Sequence, residues 1–394
     1  MKRLLIHSLV FGPDGVSTAY LYNDIAEAFV AAGWEVRVVT TTPHFNPPVK
    51  GKEAKAFNDG IKITRIPMRR FSNFGVRALS FAWWHLASFF VILLGKRPDV
   101  ILSPSPPPTV GLLNVWLGRI KRCKVVYNVQ EIYPDILQKL HGLPLRVMKR
   151  MERRIYDGSD AVITIDRVFR DTIAPRFKNP SKLHIIPNFV DTELYRPLER
   201  NASSGVLRIL YAGNIGYAQD WDLLLDLAEK TADLPLTYCV VGEGVRREHL
   251  IEGIDARHLR NFRLLPYQPR EKMPELLAAS DANFIFMLPS MDRQGFPSKV
   301  YTIMACARPL IVSSGEDTPI VNFLGGMPCA KLFCGEDRAE SMAAYLHKLL
   351  EGGVEKAREE LLKMGESGRK LIEEQYSREK VTSRYVELLE SLLK

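Results

Sequence analysis

Apolar residues fall in short strand-length runs separated by longer amphipathic stretches, and this alternation repeats through nearly the whole chain. Residues 2–10 read as a strand, 16–32 as a helix stopped at Gly33, and 35–40 as a second strand. A strand over 61–67 and a long apolar helix over 79–94 follow. The strand 99–103 runs into SPSPPPTVG, read as a rigid turn before a helix over 111–120. Strands at 124–129, 161–165 and 182–186 complete the first half. Strands joined through helices rather than hairpins run parallel, with helices covering both faces.

A polar segment rich in Pro, Asn, Ser and Gly, 195–205, interrupts the rhythm and reads as a linker. Beyond it come strands at 207–212, 237–241, 262–265, 282–287 and 309–313, with helices at 222–230 and 272–279. Two charged helices, 354–375 and 378–393, end the chain. The pattern predicts an α/β protein of two doubly wound, Rossmann-like domains: 1–195, and 206–377, with 378–394 packing back on the first domain. Domains of this kind are expected to face each other across a cleft, where the carboxyl ends of parallel strands bind ligands.

A length of 394 residues fits two cores better than one. With 46% hydrophobic and 25% charged residues, the composition excludes disordered, collagen-like and coiled-coil classes. The five cysteines are scattered and lack zinc-ligand spacing, which points to structural thiols in a reducing compartment. MKRLLIHSLVF has too short an apolar stretch for a signal peptide and reads as the first strand. The net charge of +9 suits an anionic membrane or a phosphorylated substrate. No interleaved basic and aromatic signature supports nucleic acid as a partner.

Candidate chemistry sits where strands hand over to helices. Gly12 and Gly15 in HSLVFGPDGVSTAY let backbone approach a phosphate or sugar, although a plain turn explains them equally well. The loop is not G-x-G-x-x-G and no acidic residue follows to grip a ribose, so a dinucleotide-dependent dehydrogenase is disfavoured. YAGNIGYAQDWD repeats the device with Gly213, Asn214 and Gly216, and VVGEGVRREHL adds Gly242, Glu243 and Gly244. Asp220-Trp221-Asp222 matches a metal-binding D-x-D, but helix capping accounts for such carboxylates without a metal. In DRQGFPSKVYTIMACARPLI, a helix opens on Pro297, Ser298 and Lys299; a cation is costly there unless an anion offsets it.

Taken together, GPDGVSTAY, RPDVILSPSPPPTVG, YNVQEIYPDI, IIPNFVD, YAGNIGYAQDWD, VVGEGVRREHL, LLPYQPREKMPELLAASDA and GFPSKVYTIMACARPLI occur in one order. The chain so patterned resembles a retaining glycosyltransferase of family 4 with the two-domain GT-B fold. The branch it is most similar to builds bacterial surface polysaccharides such as O-antigen, capsule or colanic acid. The resemblance implies a nucleotide-diphosphate sugar as co-substrate, a UDP-sugar first, with no cofactor and no metal required. It implies donor contacts at Asn214, Gly216, Gln219, Glu243, Arg293, Pro297, Ser298, Lys299 and Thr302. Leu265, Tyr267 and Gln268 stand where the family packs the base. The family's Glu-x7-Glu is replaced by Gln294 and Thr302, and its Gly-Arg…Glu-Lys pair by Gly213-Asn214 and Gln219. Glu131, in the region where a His is often found, is expected to accept a proton or orient the sugar, although a cap or ion-pair role explains it too. Lys299 and Glu131 are the expected catalytic pair.

The acceptor implied is a polyprenyl-diphosphate-linked sugar or a glycan, met at the cytoplasmic side of the membrane. The helix over 79–94 bears on this. Its sixteen residues reach about 24 Å, short of the roughly 30 Å hydrocarbon core. Trp83 and Trp84 beside Arg69 and Arg70 suit the bilayer interface; an ordinary core helix is the competing reading. A sugar-nucleotide 2-epimerase of the same fold and a non-catalytic sugar-nucleotide-binding protein are the alternative functions.

Overall fold

Parallel strands dictate the architecture. The computed structural model describes residues 1–43, 60–68, 74–135, 137, 141–199, 205–289 and 296–394. The chain divides into two units, Met1–Asn188 with Arg378–Lys394, and Phe189–Ser377. Arg69, Arg70, Arg293 and Gln294 lie outside the described residues, as does part of the segment 195–205.

The first unit holds a wholly parallel sheet in the order β3-β2-β1-β4-β5-β6-β7. Its strands are β1 (Arg3–His7), β2 (Glu35–Thr41), β3 (Ile61–Ile66), β4 (Val100–Pro104), β5 (Lys124–Val129), β6 (Ala161–Thr164) and β7 (Leu183–Ile185). The connecting helices include α1 (Ser17–Ala31), α2 (Phe74–Leu94), α3 (Pro108–Lys121), α4 (Gly142–Gly158) and α5 (Arg167–Ile173). One sheet face, through Leu5, Val39 and Ile101, packs on Trp84 and Ile92 of α2 and Val110 of α3.

Two boundaries differ from the sequence pattern. The stretch SPSPPPTVG is not all turn: α3 starts inside it at Pro108, because a proline in the first helical turn sacrifices no hydrogen bond. Helix α2 begins at Phe74, so its 21 residues extend roughly 32 Å, long enough to cross a bilayer. It is nevertheless tied along the sheet by Trp84, Ser88 and Ile92, buried at helical spacing. His85 fixes it further, with Nε2 2.8 Å from Thr109 Oγ1 of α3.

The second unit repeats the design in a six-stranded parallel sheet, β10-β9-β8-β11-β12-β13. Its strands are β8 (Leu207–Ala212), β9 (Leu236–Val241), β10 (Phe262–Leu265), β11 (Ala282–Phe286), β12 (Leu310–Ser313) and β13 (Ala330–Phe333). The helices are α6 (Trp221–Lys230), α7 (Arg247–Ala256), α8 (Met273–Ala278), α9 (Lys299–Ala305), α10 (Pro319–Leu324), α11 (Arg338–Leu350) and α12 (Val354–Leu371). The chain enters this unit at Phe189, ahead of the polar segment. Val190 and Tyr195 are buried in a cluster with Val300, Tyr301 and Met304, and the Arg369 guanidinium donates to Tyr195 O at 2.7 Å.

The last helix, α13 (Arg378–Ser391), belongs to the first unit and packs on α1. Buried Tyr385 accepts a hydrogen bond from Asn128 Nδ2 at 2.9 Å. The chain of bonds continues as Gln130 Nε2 donates to Asn128 Oδ1 (3.1 Å) and Asn188 Nδ2 donates to Gln130 Oε1 (3.0 Å). The segment after β7, the loop after β5 and α13 are thereby locked together. Tyr385→Phe leaves Asn128 without its acceptor in a buried place, and chemical denaturation should show a loss of about 1–3 kcal/mol; an unchanged midpoint would show that the bond contributes nothing net.

Candidate functional site

Strand β8 ends where the strand order of its sheet reverses, between β9 and β11, and a loop leaving a strand there is open to a ligand. Gly213-Asn214-Ile215-Gly216 lies main chain to main chain against Gly242-Glu243-Gly244. Gly213 N–H donates to Val241 O (2.9 Å), Ile215 N–H to Glu243 O (2.9 Å) and Arg246 N–H to Ile215 O (3.0 Å). A Cβ on Gly242 would stand 1.9 Å from Gly213 O, and one on Gly244 2.2 Å from Ile215 O, so only glycine allows this approach.

Lys299, the first residue of α9, reaches into this corner. Its Nζ sits 3.7 Å from the centroid of the Tyr211 ring, and a Cβ on Gly213 would come within 2.7 Å of it. The ring is fixed by edge-on packing against Trp221 and by its hydroxyl, which donates to Asn214 O at 2.7 Å. Among the described residues no carboxylate pairs with the ammonium and no hydrogen bond satisfies it. Burial pulls its pKa from 10.5 to about 7. The Tyr211 π face offsets part of the cost of that charge. An anion in the corner would offset more, and the arrangement is chemically an anion receptor with one protonatable donor.

Around the corner the expected donor residues occupy distinct positions. Asn214 is exposed at the loop tip. The Gly216 amide is not open to a ligand, since Gln219 Oε1 already accepts from it at 3.1 Å. The amides of Gly213 and Ile215 are engaged as well. Among the described residues, the Lys299 ammonium and the exposed Asn214 side chain are polar groups at this corner. Ser298 is exposed and makes no capping bond, Pro297 O accepts from Val300 N–H at 3.0 Å, and Thr302 Oγ1 donates to Lys299 O at 2.9 Å. Glu243 is exposed and ion-paired with Arg247 at 3.3 Å. Leu265 and Tyr267, both exposed, lie with Gln268 at the end of β10, next to the Gly242 loop, whose amide donates to Leu265 O at 3.1 Å.

The D-x-D carboxylates diverge. Asp220 caps α6, accepting from Leu223 N–H at 3.2 Å, and pairs with Arg338 at 3.0 Å. Asp222 turns outward to His249 at 2.8 Å. No cluster of three or more His, Cys, Asp or Glu side chains arranged for a metal occurs among the described residues.

In the first unit the loop after β1 is likewise at the switch point, between β2 and β4. Gly12 N–H donates to Asn23 Oδ1 at 3.0 Å, a Cβ there would collide with Asn23, and Arg65 donates to Gly12 O. Gly15 closes the loop beside buried Asp14. After β5, Ser105 Oγ accepts from both Gln130 and Glu131 amides at 3.0 Å. Half-buried Glu131 is thus aimed by its backbone, and its Oε2 accepts from the Tyr133 hydroxyl at 3.0 Å. Burial, reinforced by the negative charge of Glu131 and this bond, pushes the Tyr133 phenol pKa up.

These two halves match two family models, "Glycosyl transferase 4-like domain" over residues 18–188 and "Glycosyl transferases group 1" over 199–371. The chain belongs to the family 4 glycosyltransferases. Among relatives, this glycosyltransferase is 21% identical over 375 residues to an Escherichia coli K12 protein named as colanic acid biosynthesis glycosyl transferase WcaI, covering 88% of this chain and 92% of the relative. It is 24% identical over 333 residues to a Pseudomonas aeruginosa protein named as glycosyltransferase WbjE, covering 79% and 80%. Anabaena Alr3699/HepE, crystallised with UDP-glucose, superposes with a TM-score of 0.71 at 14% identity over 99% and 100% of the two chains. That likeness shows the fold: two Rossmann-like α/β domains of the GT-B type.

Trp84 is the correction in the membrane-face set. It is 0% exposed, its ring 5.1 Å from that of His7, whereas Trp83 on the next position is 56% exposed. Adjacent helical residues point about 100° apart, so two neighbouring tryptophans cannot share a face. Motif reading passed over Tyr211, Ser105 and Asn188 as supporting residues, although each lies within or beside a quoted motif.

The lowered Lys299 pKa fixes a pH dependence. Between pH 7 and about 10 the unfolded chain keeps the Lys299 proton and the folded one has lost it, so this residue's contribution makes stability rise with pH in that window. Comparing ligand-free wild type with Lys299→Met by denaturation at pH 6.5 and pH 9 (about half a unit below and two above the titration) should show the variant lacking that rise. Identical pH profiles would mean that the ammonium is not buried.

Proposed function

We infer that this glycosyltransferase moves a sugar from a nucleotide-diphosphate sugar, with UDP as the nucleotide, to a lipid-linked or glycan acceptor in cell-surface polysaccharide biosynthesis. The reading includes retention of anomeric configuration and a hexosyl or N-acetylhexosaminyl group, with the protein working at the cytoplasmic side of a membrane. The observation that carries it is the Lys299 ammonium, half-buried and without a counter-charge among the described residues beside the glycine corner. The names of the relatives support the polysaccharide context.

As the glycosidic bond breaks, charge develops on the departing diphosphate. Lys299 is assigned to stabilise it, assisted by Asn214, so the reading requires no metal. A fixed cation in a low-dielectric corner acts more strongly than one in water. Glu131 is assigned to take the acceptor hydroxyl's proton or to orient the sugar. Leu265, Tyr267 and Gln268 are assigned to the base, and Thr302 to the ribose, where its hydroxyl oxygen can still accept. The glycine loop at Gly12 and Gly15 is assigned to the sugar side of the donor.

Incubation with a panel of nucleotide sugars and a short-chain polyprenyl-diphosphate sugar, read by mass spectrometry, tests the activity. A product heavier by one sugar is expected; an isomerised donor would show an epimerase, and an unchanged mixture with bound nucleotide a binding protein. Two measurements test the site. Lys299→Ala should weaken nucleotide-diphosphate binding by about 100-fold, and Thr302→Ala by only a few-fold; equal, mild losses would reduce α9 to scaffold. Calorimetry at pH 8 in buffers of different ionisation enthalpy should show proton uptake on UDP binding, approaching about one per site and fading at pH 6, because the diphosphate raises a pKa that lies near 7 in the free protein.

A further inference from the structure

Helix α2 packs on one face of the first sheet and ends at Leu94, close to the amino ends of the strands. A cavity of about 260 Å³ lies there, between β1, β2 and β3 and the segment 96–98 that leads into β4. Alternation along the strands turns Arg3 of β1, Glu35 and Arg37 of β2, and Lys62 and Thr64 of β3 to this one face. The register sets Arg3 beside Glu35 and Arg37 beside Lys62. Lys96 and Arg97 wall the opposite side, and buried Leu5 and Pro98 give the cavity an apolar floor.

Five cations therefore surround one carboxylate. Glu35 accepts from Lys62 Nζ at 2.8 Å, and its pKa is lowered by that bond and charge first, then by the fields of Lys96 and Arg3. A negative charge placed here is thus stabilised from both walls. Arg3 leans toward Asp99, at 3.8 Å. Among the described residues no carboxylate pairs with Arg37, Lys96 or Arg97. Service to the carboxyl end of α2 explains part of this charge, since Arg37 donates to Val91 O at 3.3 Å and Lys121 to Gly95 O at 2.7 Å. Lys96 makes no such bond. Arg37 is also held at the cavity wall by shape, because a Cβ on Gly95 would stand 2.1 Å from its Nη1.

We propose that this cavity is a binding site for a phosphate monoester of sugar-phosphate size. The phosphate is received by Arg37, Lys62 and Lys96, and the carbon skeleton rests on Leu5 and Pro98 beside the Thr64 hydroxyl. The volume is below the roughly 300–1,000 Å³ of pockets that hold drug-sized ligands, so a whole nucleotide sugar is too large for it. Inorganic phosphate would leave the apolar floor uncovered. The five residues of β1, roughly 16 Å at about 3.3 Å each, separate the cavity from the loop at Gly12. The site is therefore distinct from both glycine loops, and it stands or falls separately from the sugar-transfer reading.

Calorimetric titration with glucose 6-phosphate at low salt, against glucose, tests the site. The phosphate ester should bind at about one equivalent and glucose should not, with affinity falling as salt is added. Lys62→Ala with Lys96→Ala should weaken binding by about tenfold or more, and so should Arg37→Gln, which keeps a donor for Val91 O. Glu35→Gln should instead tighten binding by about three- to tenfold, a gain that loss of folding cannot imitate. Lys299→Met, in the other unit, should leave binding unchanged. Inorganic phosphate and dihexanoyl phosphatidic acid, a soluble lipid monoester, should each bind about tenfold more weakly than glucose 6-phosphate. Circular dichroism should show all variants folded. Absence of binding at millimolar ligand, unchanged binding in the Lys62 and Lys96 variant, or weaker binding in Glu35→Gln would overturn the proposal. So would loss of binding in Lys299→Met, or tighter binding of inorganic phosphate or of the lipid.

Discussion

Strands that all run one way cannot be joined by tight turns; each must return through a crossover, and in this chain the crossovers are mainly helices. Both units obey that constraint, and most of what they present follows from it. Every strand's carboxyl end lies along one rim, and the order reversals beside β1 and β8 leave a gap on that rim in each unit. The glycine loops at Gly12 and Gly213 leave from those two strands. Helices pushed to both faces of the first sheet also leave α2 with an exposed outer side among the described residues.

At the second gap the constraint becomes steric. The loops after β8 and β9 continue hydrogen bonding beyond the sheet, close enough that Gly242 and Gly244 admit no side chain. That contact consumes the amides of Gly213 and Ile215, and Gln219 takes the amide of Gly216. A loop resembling a phosphate-binding turn therefore offers little backbone to a phosphate. The positive charge comes instead from Lys299, carried in on α9 and rested against Tyr211. Exchanging amides for a depressed-pKa lysine makes the corner responsive to pH, which a backbone nest is not.

Glu131 shows a different kind of positioning. Its backbone is aimed by one hydroxyl, Ser105, and the adjoining Gln130 belongs to a buried amide chain ending on the last helix of the protein. Residues more than 250 positions apart thus share one network, Asn128 with Tyr385 being the longest link. Buried amides leave little slack in such a chain, because each unsatisfied member costs the desolvation it has already undergone.

Much of this was legible in the sequence, since alternation of apolar runs reports which elements exist, and glycine, proline and capping residues report where strands yield to helices. That local chemistry was enough to give two doubly wound units, most strand positions and Lys299 as an anomalous cation at a helix start. Helices α4, α5, α7, α10 and α11 were not among the elements read from the sequence; α5, α7 and α10 are short, whereas α4 and α11, 17 and 13 residues long, do carry an amphipathic pattern. What only the tertiary structure decided were relations between distant segments. It put Tyr211 under Lys299, diverted the Gly216 amide to Gln219, sent Asp220 and Asp222 to separate partners, and separated Trp83 in solvent from Trp84 in the core. Residue type and spacing encode propensity along the chain, whereas desolvation and the pairing of polar groups depend on which surfaces meet in space.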